Sequence, residues 1–489
     1  MSETDAAGRG TRRHPFLKRT LVILAMVLVA STMLVVQRGA ATETAPASQM
    51  GAYLAQAGEQ YGIPAASLVM AEGPEVHTEN WGTLADGSPA TADTQYLIGS
   101  LSKPLTALAV VLLLEDGAIE LSDPVDTHLP GFDYVSADGS RITIDHLLRQ
   151  TSGISAHDSL EVTDGDYPAS GGISQAVSRL SGVTLQSDPG AEYEYASANY
   201  LLLGAVIESV TGRPFAEVMA ERVFQPLGMT RTFASHDAAS AAGYQPGYQS
   251  WFGHPLQSSD FYDHSGAPYG YTISTANDLA AFLSFMQSGG DLLEDSGLRL
   301  LQTLPAEPGT YGYGWRYAAD EGLFFHGGAT PHSRAEMFYD PERNVSGVLL
   351  TNKYHTLEDQ QVSTVLAGMR AISEGSEAEE LTEQKHPVQW TLAVTLLLGV
   401  LLLVRSVRRL LQGKPAARRR ALRLIAAVLL AAASAGVVPL LAYAMGTPWH
   451  SIRLFAPDVA LLVLCLAGVL AAHALVLLVG AVRSRVGGR

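Results

Sequence analysis

Long, uninterrupted apolar runs lie at the two ends of the chain, and shorter mixed patterns fill the middle. Residues 20–36 form an apolar run behind Arg12, Arg13, Lys18 and Arg19, the layout of a signal peptide or an uncleaved signal anchor. Three further runs, Val388–Val404, Leu422–Met445 and Val459–Val482, each approach the ~20 residues that cross a bilayer. No polar residue recurs in them at helical spacing, as a buried helix with one wet face would require. The chain is therefore expected to carry one N-terminal and three C-terminal transmembrane helices.

The middle reads differently. Leu101–Glu115 is an apolar stretch of helical length closed by Asp116-Gly117, and Ile144–Arg149 and Tyr200–Val210 are further helices, the last ended by Thr211-Gly212. From Tyr311 onward the pattern shortens to strands: Trp315–Tyr317, Gly322–His326, Arg334–Tyr339 and Ser346–Thr351. The turn Asp340-Pro341-Glu342-Arg343-Asn344 would join the last two as a hairpin. A helical cluster plus a C-terminal antiparallel sheet, in one α+β domain, is the architecture predicted. The domain plan is a basic segment and apolar run over 1–40, a linker over 41–49, the α+β domain over 50–371, a charged linker over 372–387 and the membrane region over 388–489.

Charge sharpens that plan. The formal net charge of −16 is unevenly spread: residues 1–40 hold 6 basic and 2 acidic residues, and residues 381–489 hold 13 and 2. The segment between carries 13 basic against 44 acidic residues, a net of −31 that would repel nucleic acid and other polyanions. Arg405, Arg408, Arg409, Lys414, Arg418, Arg419 and Arg420 separate the first two C-terminal runs, and Arg453 alone lies between the second and third. The positive-inside rule then puts the arginine-rich loop and both termini in the cytoplasm and the whole middle domain outside, at the cell membrane. The near absence of charge within the runs argues against a transport pathway. The single cysteine, Cys465, excludes an intrachain disulfide.

Three clusters carry candidate chemistry. Ser100 opens the apolar helix and Lys103 follows at i+3, on the same helical face. A serine hydroxyl needs a base to become a nucleophile, and an amine serves when burial lowers its pKa. Such a pair arises by chance in many long chains, but lysine is scarce here: Lys103 and Lys353 are the two lysines in residues 41–380. The second cluster, Glu192-Tyr193-Glu194-Tyr195-Ala196-Ser197, leads into a helix, so Tyr195 stands at a loop-to-helix junction, as a proton relay or as a packing aromatic. The third, His326-Gly327-Gly328-Ala329, ends a predicted strand, where glycines admit a close backbone approach, or mark a simple turn. Trp251, Phe252, Tyr262, Tyr269 and Tyr271 read equally as walls of an aromatic cleft or as packing. His254, His264 and His332 lack the spacing of metal ligands, and no metal or cofactor is expected.

In order and spacing the three clusters resemble the serine beta-lactamase and penicillin-binding superfamily, and most of all its class C beta-lactamase-related branch of esterases, D-aminopeptidases and D,D-carboxypeptidases. The S-x-x-K motif falls on Ser100 and Lys103, Y-x-N on Tyr195-Ala196-Ser197, and K-T-G or H-x-G on His326-Gly327-Gly328. The flanks Ile144-Asp145-His146-Leu147-Leu148-Arg149-Gln150-Thr151-Ser152-Gly153 and Tyr311-Gly312-Tyr313-Gly314-Trp315 fit as well. The resemblance implies a beta-lactamase/transpeptidase-like domain and an acyl-enzyme mechanism. In it Ser100 attacks a carbonyl, Lys103 and Tyr195 share the proton transfers, and the backbone amides of Ser100 and Ala329 hold the oxyanion. Ser197 stands where the family has the asparagine that binds a substrate amide, and His326 where it has a carboxylate-holding lysine. Both departures point away from penicillin hydrolysis and toward a small ester, a D-amino-acid peptide or a cell-wall fragment as substrate. The competing reading is a ligand sensor that kept the fold, lost turnover and signals through the membrane helices.

Overall fold

The computed structural model describes residues 48–307, 310–413 and 420–486. The apolar run at 20–36 lies outside the described residues. A six-stranded antiparallel sheet organises the α+β domain. Its strands are β1 (Ala65–Glu72), β2 (Glu75–Gly82), β3 (Arg316–Ala318), β4 (Leu323–Thr330), β5 (Ser333–Asp340) and β6 (Val345–Thr351), in the spatial order β2-β1-β6-β5-β4-β3. The four strands expected from Tyr311 onward are present, and the Asp340–Asn344 turn joins β5 to β6 as the pattern required. The sheet is not purely C-terminal, however. β6 pairs with β1 from the start of the domain, so residues nearly 300 positions apart close it.

Alternation along the strands sends side chains to two different layers. On one face Leu68, Met70, Phe338 and Leu349 meet Met50, Leu54 and Ala57 of α1 (Gln49–Tyr61) and Leu366 and Met369 of α5 (Gln360–Ser373). On the other, Val69, Met337 and Val348 join the larger core with Phe282 and Met286 of α4 (Ala276–Ser288). That core continues into α2 (Ser102–Glu115) and α3 (Ser197–Thr211). From Ser102 to Leu113 every residue of α2 is buried, so this helix has no wet face and can only sit inside a cluster. Burial of each of its leucines contributes roughly 2 kcal/mol. β2 lies at the sheet edge and presents Glu75, Thr78 and Asn80 to solvent, which discourages pairing with another chain.

Beyond the domain stand α6 (Pro387–Leu411), α7 (Arg420–Met445), the short α8 (Trp449–Phe455) and α9 (Pro457–Val486). Three of them, α6, α7 and α9, are long and apolar enough to cross a membrane. They expose large apolar side chains, Leu397, Leu401, Val428, Leu429 and Leu475 among them. Where they touch, sparse polar contacts join them: Ser406 Oγ lies 2.8 Å from His473 Nε2, and Ser434 Oγ donates to the Ala467 carbonyl at 2.9 Å.

The domain meets this helical region through the hairpin Tyr248–Trp251/His254–Gln257 and the short strand Lys353–Tyr354 that pairs with it. Asp458, at the head of α9, lies 2.9 Å from His355 Nε2 and accepts the Phe252 amide at 3.0 Å; both side chains of the His355–Asp458 pair are fully buried. Gln249 Nε2 donates to the Leu454 carbonyl at 3.0 Å, and the Phe252 and Trp390 rings meet edge-on at 5.1 Å. Buried, directional contacts of this kind fix the domain against the head of α9 instead of leaving it on a loose tether.

Candidate active site

Ser100 lies in a single 3-10 turn, Gly99–Leu101, that feeds directly into α2. The turn is pressed against β4. Gly99 has φ +55°, and a Cβ there would come 2.2 Å from the Ala329 amide nitrogen; a Cβ on Gly328 would come 2.0 Å from the Ile98 carbonyl oxygen and 2.9 Å from the Ser100 amide nitrogen. Only glycine permits this approach. Its result is that the backbone amides of Ser100 and Ala329 stand beside each other next to the Ser100 hydroxyl, the arrangement that can stabilise negative charge developing on a carbonyl oxygen.

One turn into the helix, Lys103 is wholly buried. Its Nζ lies 2.9 Å from Ser100 Oγ and 3.2 Å from Ser197 Oγ, hydroxyls that can donate or accept, and donates to the Tyr269 carbonyl at 2.7 Å. The rings of Tyr195, Tyr200 and Tyr269 surround it at 5.0, 5.9 and 5.9 Å. No carboxylate lies within ion-pair distance of this amine among the described residues. Burial therefore holds Lys103 well below the ordinary lysine range; Asp164 opposes this through its charge and Arg316 adds to it. A lysine held toward its neutral amine, in contact with a serine hydroxyl, can act as a base.

Tyr195 leans over the same amine. Burial raises its phenol well above the ordinary range, against a hydrogen bond to Ser100 and the charge of Arg316, so it stands as a phenol and not a phenolate. The loop that carries it is tied down from behind. Gln150, itself at φ +61°, accepts the Ala196 amide at 2.9 Å and Asn199 Nδ2 at 2.6 Å through its side-chain oxygen, and Ser152 Oγ donates to Asn199 Oδ1 at 2.6 Å. Gln150 and Ser152 belong to the flank singled out in the sequence, and their work is to hold the Tyr195–Ser197 segment in register with Lys103.

His326 is buried on β4 with both ring nitrogens engaged, Nε2 at 2.7 Å from Tyr311 Oη and Nδ1 at 2.7 Å from the Gly327 carbonyl. The carbonyl can only accept, so Nδ1 carries the hydrogen and Nε2 accepts from the tyrosine. Burial, reinforced by the charges of Lys103 and Arg316, pushes this imidazole well below its ordinary range. His326 is thus neutral. Behind the strand, Arg334 donates to the Gly328 carbonyl at 3.2 Å while pairing with Glu336 at 2.5 Å and Asp359 at 2.9 Å, so a buried guanidinium fixes the backbone that ends in Ala329.

The beta-lactamase family model matches residues 50–368 of the chain. This protein is a member of the beta-lactamase family. Within curated relatives, protein flp of Staphylococcus aureus (strain NCTC 8325 / PS 47) is 28% identical over 302 residues, which cover 59% of this chain and 60% of that protein. The chain thus spans about 60% of the length of that relative. Among solved structures, the octameric penicillin-binding protein homologue from Pyrococcus abyssi superposes with a TM-score of 0.58 at 23% identity, over 68% of this chain and 78% of that one. The D-amino acid amidase from Ochrobactrum anthropi superposes with a TM-score of 0.56 at 23% identity, over 67% and 98%. The shared fold is the beta-lactamase/transpeptidase-like arrangement of helices and antiparallel sheet described above.

Against this family member's sequence, the structure brings Ser100, Lys103, Tyr195, Ser197, His326, Gly327, Gly328 and Ala329 to one place. Of the two readings of the aromatic residues, the described residues support packing. Tyr262, Tyr269 and Tyr271 are buried packing residues, with the Tyr269 hydroxyl bound to Asp263 and that of Tyr271 bound to Asp164 at 2.7 Å. Trp251 and Phe252 sit instead on the hairpin that meets the helical region. Three contributors escaped the sequence reading. These are the Tyr269 carbonyl, the Arg334 clamp and Arg316, whose guanidinium lies 5.1 Å from the centre of the Tyr195 ring. Arg316 followed Trp315 in the flank, and a cation beside that run was the one available signal.

Proposed function

We propose that the protein is a membrane-anchored, extracytoplasmic serine hydrolase that cleaves ester or amide bonds through a Ser100 acyl-enzyme. The observation that carries this reading is Lys103, fully buried, without a carboxylate partner among the described residues, and 2.9 Å from Ser100 Oγ. Lys103 takes the Ser100 proton as the oxygen attacks a substrate carbonyl, and the amides of Ser100 and Ala329 hold the charge that forms. The leaving group departs with a proton, and water then releases the acyl group. The neutral His326 offers no cation for a substrate carboxylate, and Ser197 lacks the carboxamide with which an asparagine would pair a substrate amide. Both favour small esters and D-amino-acid amides or peptides over penicillins; the likeness in fold to a D-amino acid amidase supports the amide side of that range. The three apolar helices support anchoring, and the arginine-rich loop between the first two supports an outward-facing domain.

The test is a screen of the full-length protein in detergent against p-nitrophenyl esters, D-alanyl amides and peptides, and nitrocefin, with Ser100→Ala as control. Turnover of esters or amides that disappears in the control is expected; turnover that survives it overturns the reading. The buried His355–Asp458 contact favours a second reading, a sensor whose occupancy is passed to α9. That reading requires ligand binding that survives Ser100→Ala and a wild-type protein without turnover.

A further inference from the structure

Lys103 Nζ makes three hydrogen bonds among the described residues, and they are not chemically equivalent. The Tyr269 carbonyl can only accept, whereas the hydroxyls of Ser100 and Ser197 can both take and give a proton. Acylation removes Ser100 from this set, because its oxygen becomes an ester oxygen with no hydrogen. Lys103 lies against the ring face of Tyr195, 5.0 Å from the centroid, and among the described residues its hydrogen bonds go to Ser100, Ser197 and Tyr269 and not to the Tyr195 oxygen. At the moment the leaving group must be protonated, Ser197 is therefore the one hydroxyl still joined to the ammonium that holds the proton. An asparagine at this position could anchor the lysine but could not exchange a proton with it.

We propose that Ser197 relays the proton from Lys103 to the leaving group, an inference that rests on the hydrolase reading above. The Ser100 oxygen–carbon bond forms as the Ser100 proton passes to Lys103 Nζ. When the tetrahedral intermediate collapses, the bond from carbon to the leaving atom breaks and that atom takes the proton of Ser197 Oγ. Ser197 Oγ in turn takes one proton from the Lys103 ammonium. The lysine returns to its neutral amine, Ser197 is again a hydroxyl, and no further reactant is consumed. A relay of this kind matters in proportion to how badly the leaving group needs a proton: little for a nitrophenolate, much for an alkoxide or an amine.

The experiment compares a p-nitrophenyl ester with the ethyl ester of the same acid on the full-length protein in detergent. In Ser197→Ala, kcat/KM for the ethyl ester is expected to fall about 100-fold more than for the aryl ester, within the range general acid catalysis contributes. Ser197→Thr, which keeps a hydroxyl, restores most of the difference, and Ser197→Asn does not. An equal fall for both esters, or rescue by asparagine, shows that Ser197 merely positions Lys103 and overturns the relay. So does a leaving-group dependence that appears in Tyr195→Phe and not in Ser197→Ala. Failure of the wild-type protein to turn over either ester or any D-alanyl amide or peptide of the screen above is a separate result, which removes the hydrolase reading together with the relay.

Discussion

Two lysines occupy the middle domain, both are buried, and they have opposite surroundings. Lys103 is held by two hydroxyls and a carbonyl among tyrosine rings. Lys353 is held by the Glu358 carboxylate at 3.1 Å, by the Gly253 carbonyl at 3.1 Å and by the carbonyl of Tyr61 at the end of α1. Burial lowers both amines, but at Lys353 the Glu358 charge and hydrogen bond pull back toward the ammonium. The first lysine is an amine held toward its neutral form beside a serine hydroxyl. The second is a cation used as a fastener, tying α1, the hairpin and the strand after β6 together. Burial of an amine is thus not itself a mark of catalysis; the absence of a counter-charge and the presence of an exchangeable hydroxyl are what separate the two.

The largest expected effect tests that separation directly. Lys103→Arg keeps a cation in place but cannot supply a base, since guanidinium does not deprotonate. Ester turnover should fall at least about 10³-fold, while circular dichroism of the purified variant stays native. Lys353→Arg should leave turnover within a few-fold of wild type. A Lys353 variant that loses turnover as completely as Lys103→Arg would erase the distinction.

Stability should respond in the reverse order. Lys353→Met strands Glu358 and is expected to cost about 3–5 kcal/mol, the usual penalty for breaking a buried ion pair. Lys353→Met combined with Glu358→Leu should recover much of that loss in thermal unfolding. A single variant as stable as wild type would mean the pair contributes nothing.

A smaller effect comes from Asp164. Burial first, then the nearby Asp263 charge, pushes this carboxyl up to about 6 against its bond from Tyr271. Ionised, it favours the Lys103 ammonium, so Asp164→Asn should shift the acidic limb of the kcat/KM profile to lower pH. The stability sign follows from linkage. A carboxyl raised on folding gives stability that is full below its unfolded value near 3.8 and is lost as pH rises through about 6. The asparagine variant should therefore gain on wild type above that pH. An unmoved limb in titrations of kcat/KM would show that Asp164 does not act on the lysine.

The smallest effect lies at the head of α9. Asp458→Asn keeps an acceptor for the Phe252 amide but removes the carboxylate from His355. It should weaken the junction by about 1–2 kcal/mol and increase protease cleavage around the hairpin, with turnover little changed. Cleavage identical to wild type would mean the domain is held there by apolar contact alone.

What the sequence made legible was local. The apolar length of α2, the i, i+3 spacing of Ser100 and Lys103 and the turn between β5 and β6 each follow from a few adjacent residues. The pairing of β1 with β6 was not readable, because strand partners far apart in the chain leave no local pattern. The lysine's carbonyl anchor at Tyr269, the Gln150–Asn199 tie and the Arg334 clamp are likewise products of tertiary approach. The aromatic cluster at 262–271 stayed open between cleft and packing for a related reason. Composition cannot tell a tyrosine whose hydroxyl meets a buried aspartate from one that faces a substrate.

The most direct test of Ser100 and Lys103 as nucleophile and base is the rate at which a fluorophosphonate phosphonylates the full-length protein, with loss of fluoride, followed by mass spectrometry of the Ser100 peptide across pH 5–10. The modification is expected on Ser100, absent in Ser100→Ala and in Lys103→Arg, with a rate that rises through one ionisation well below the free-lysine value of about 10.4. Labelling that persists in Ser100→Ala, or a midpoint at the free-lysine value, would contradict those roles.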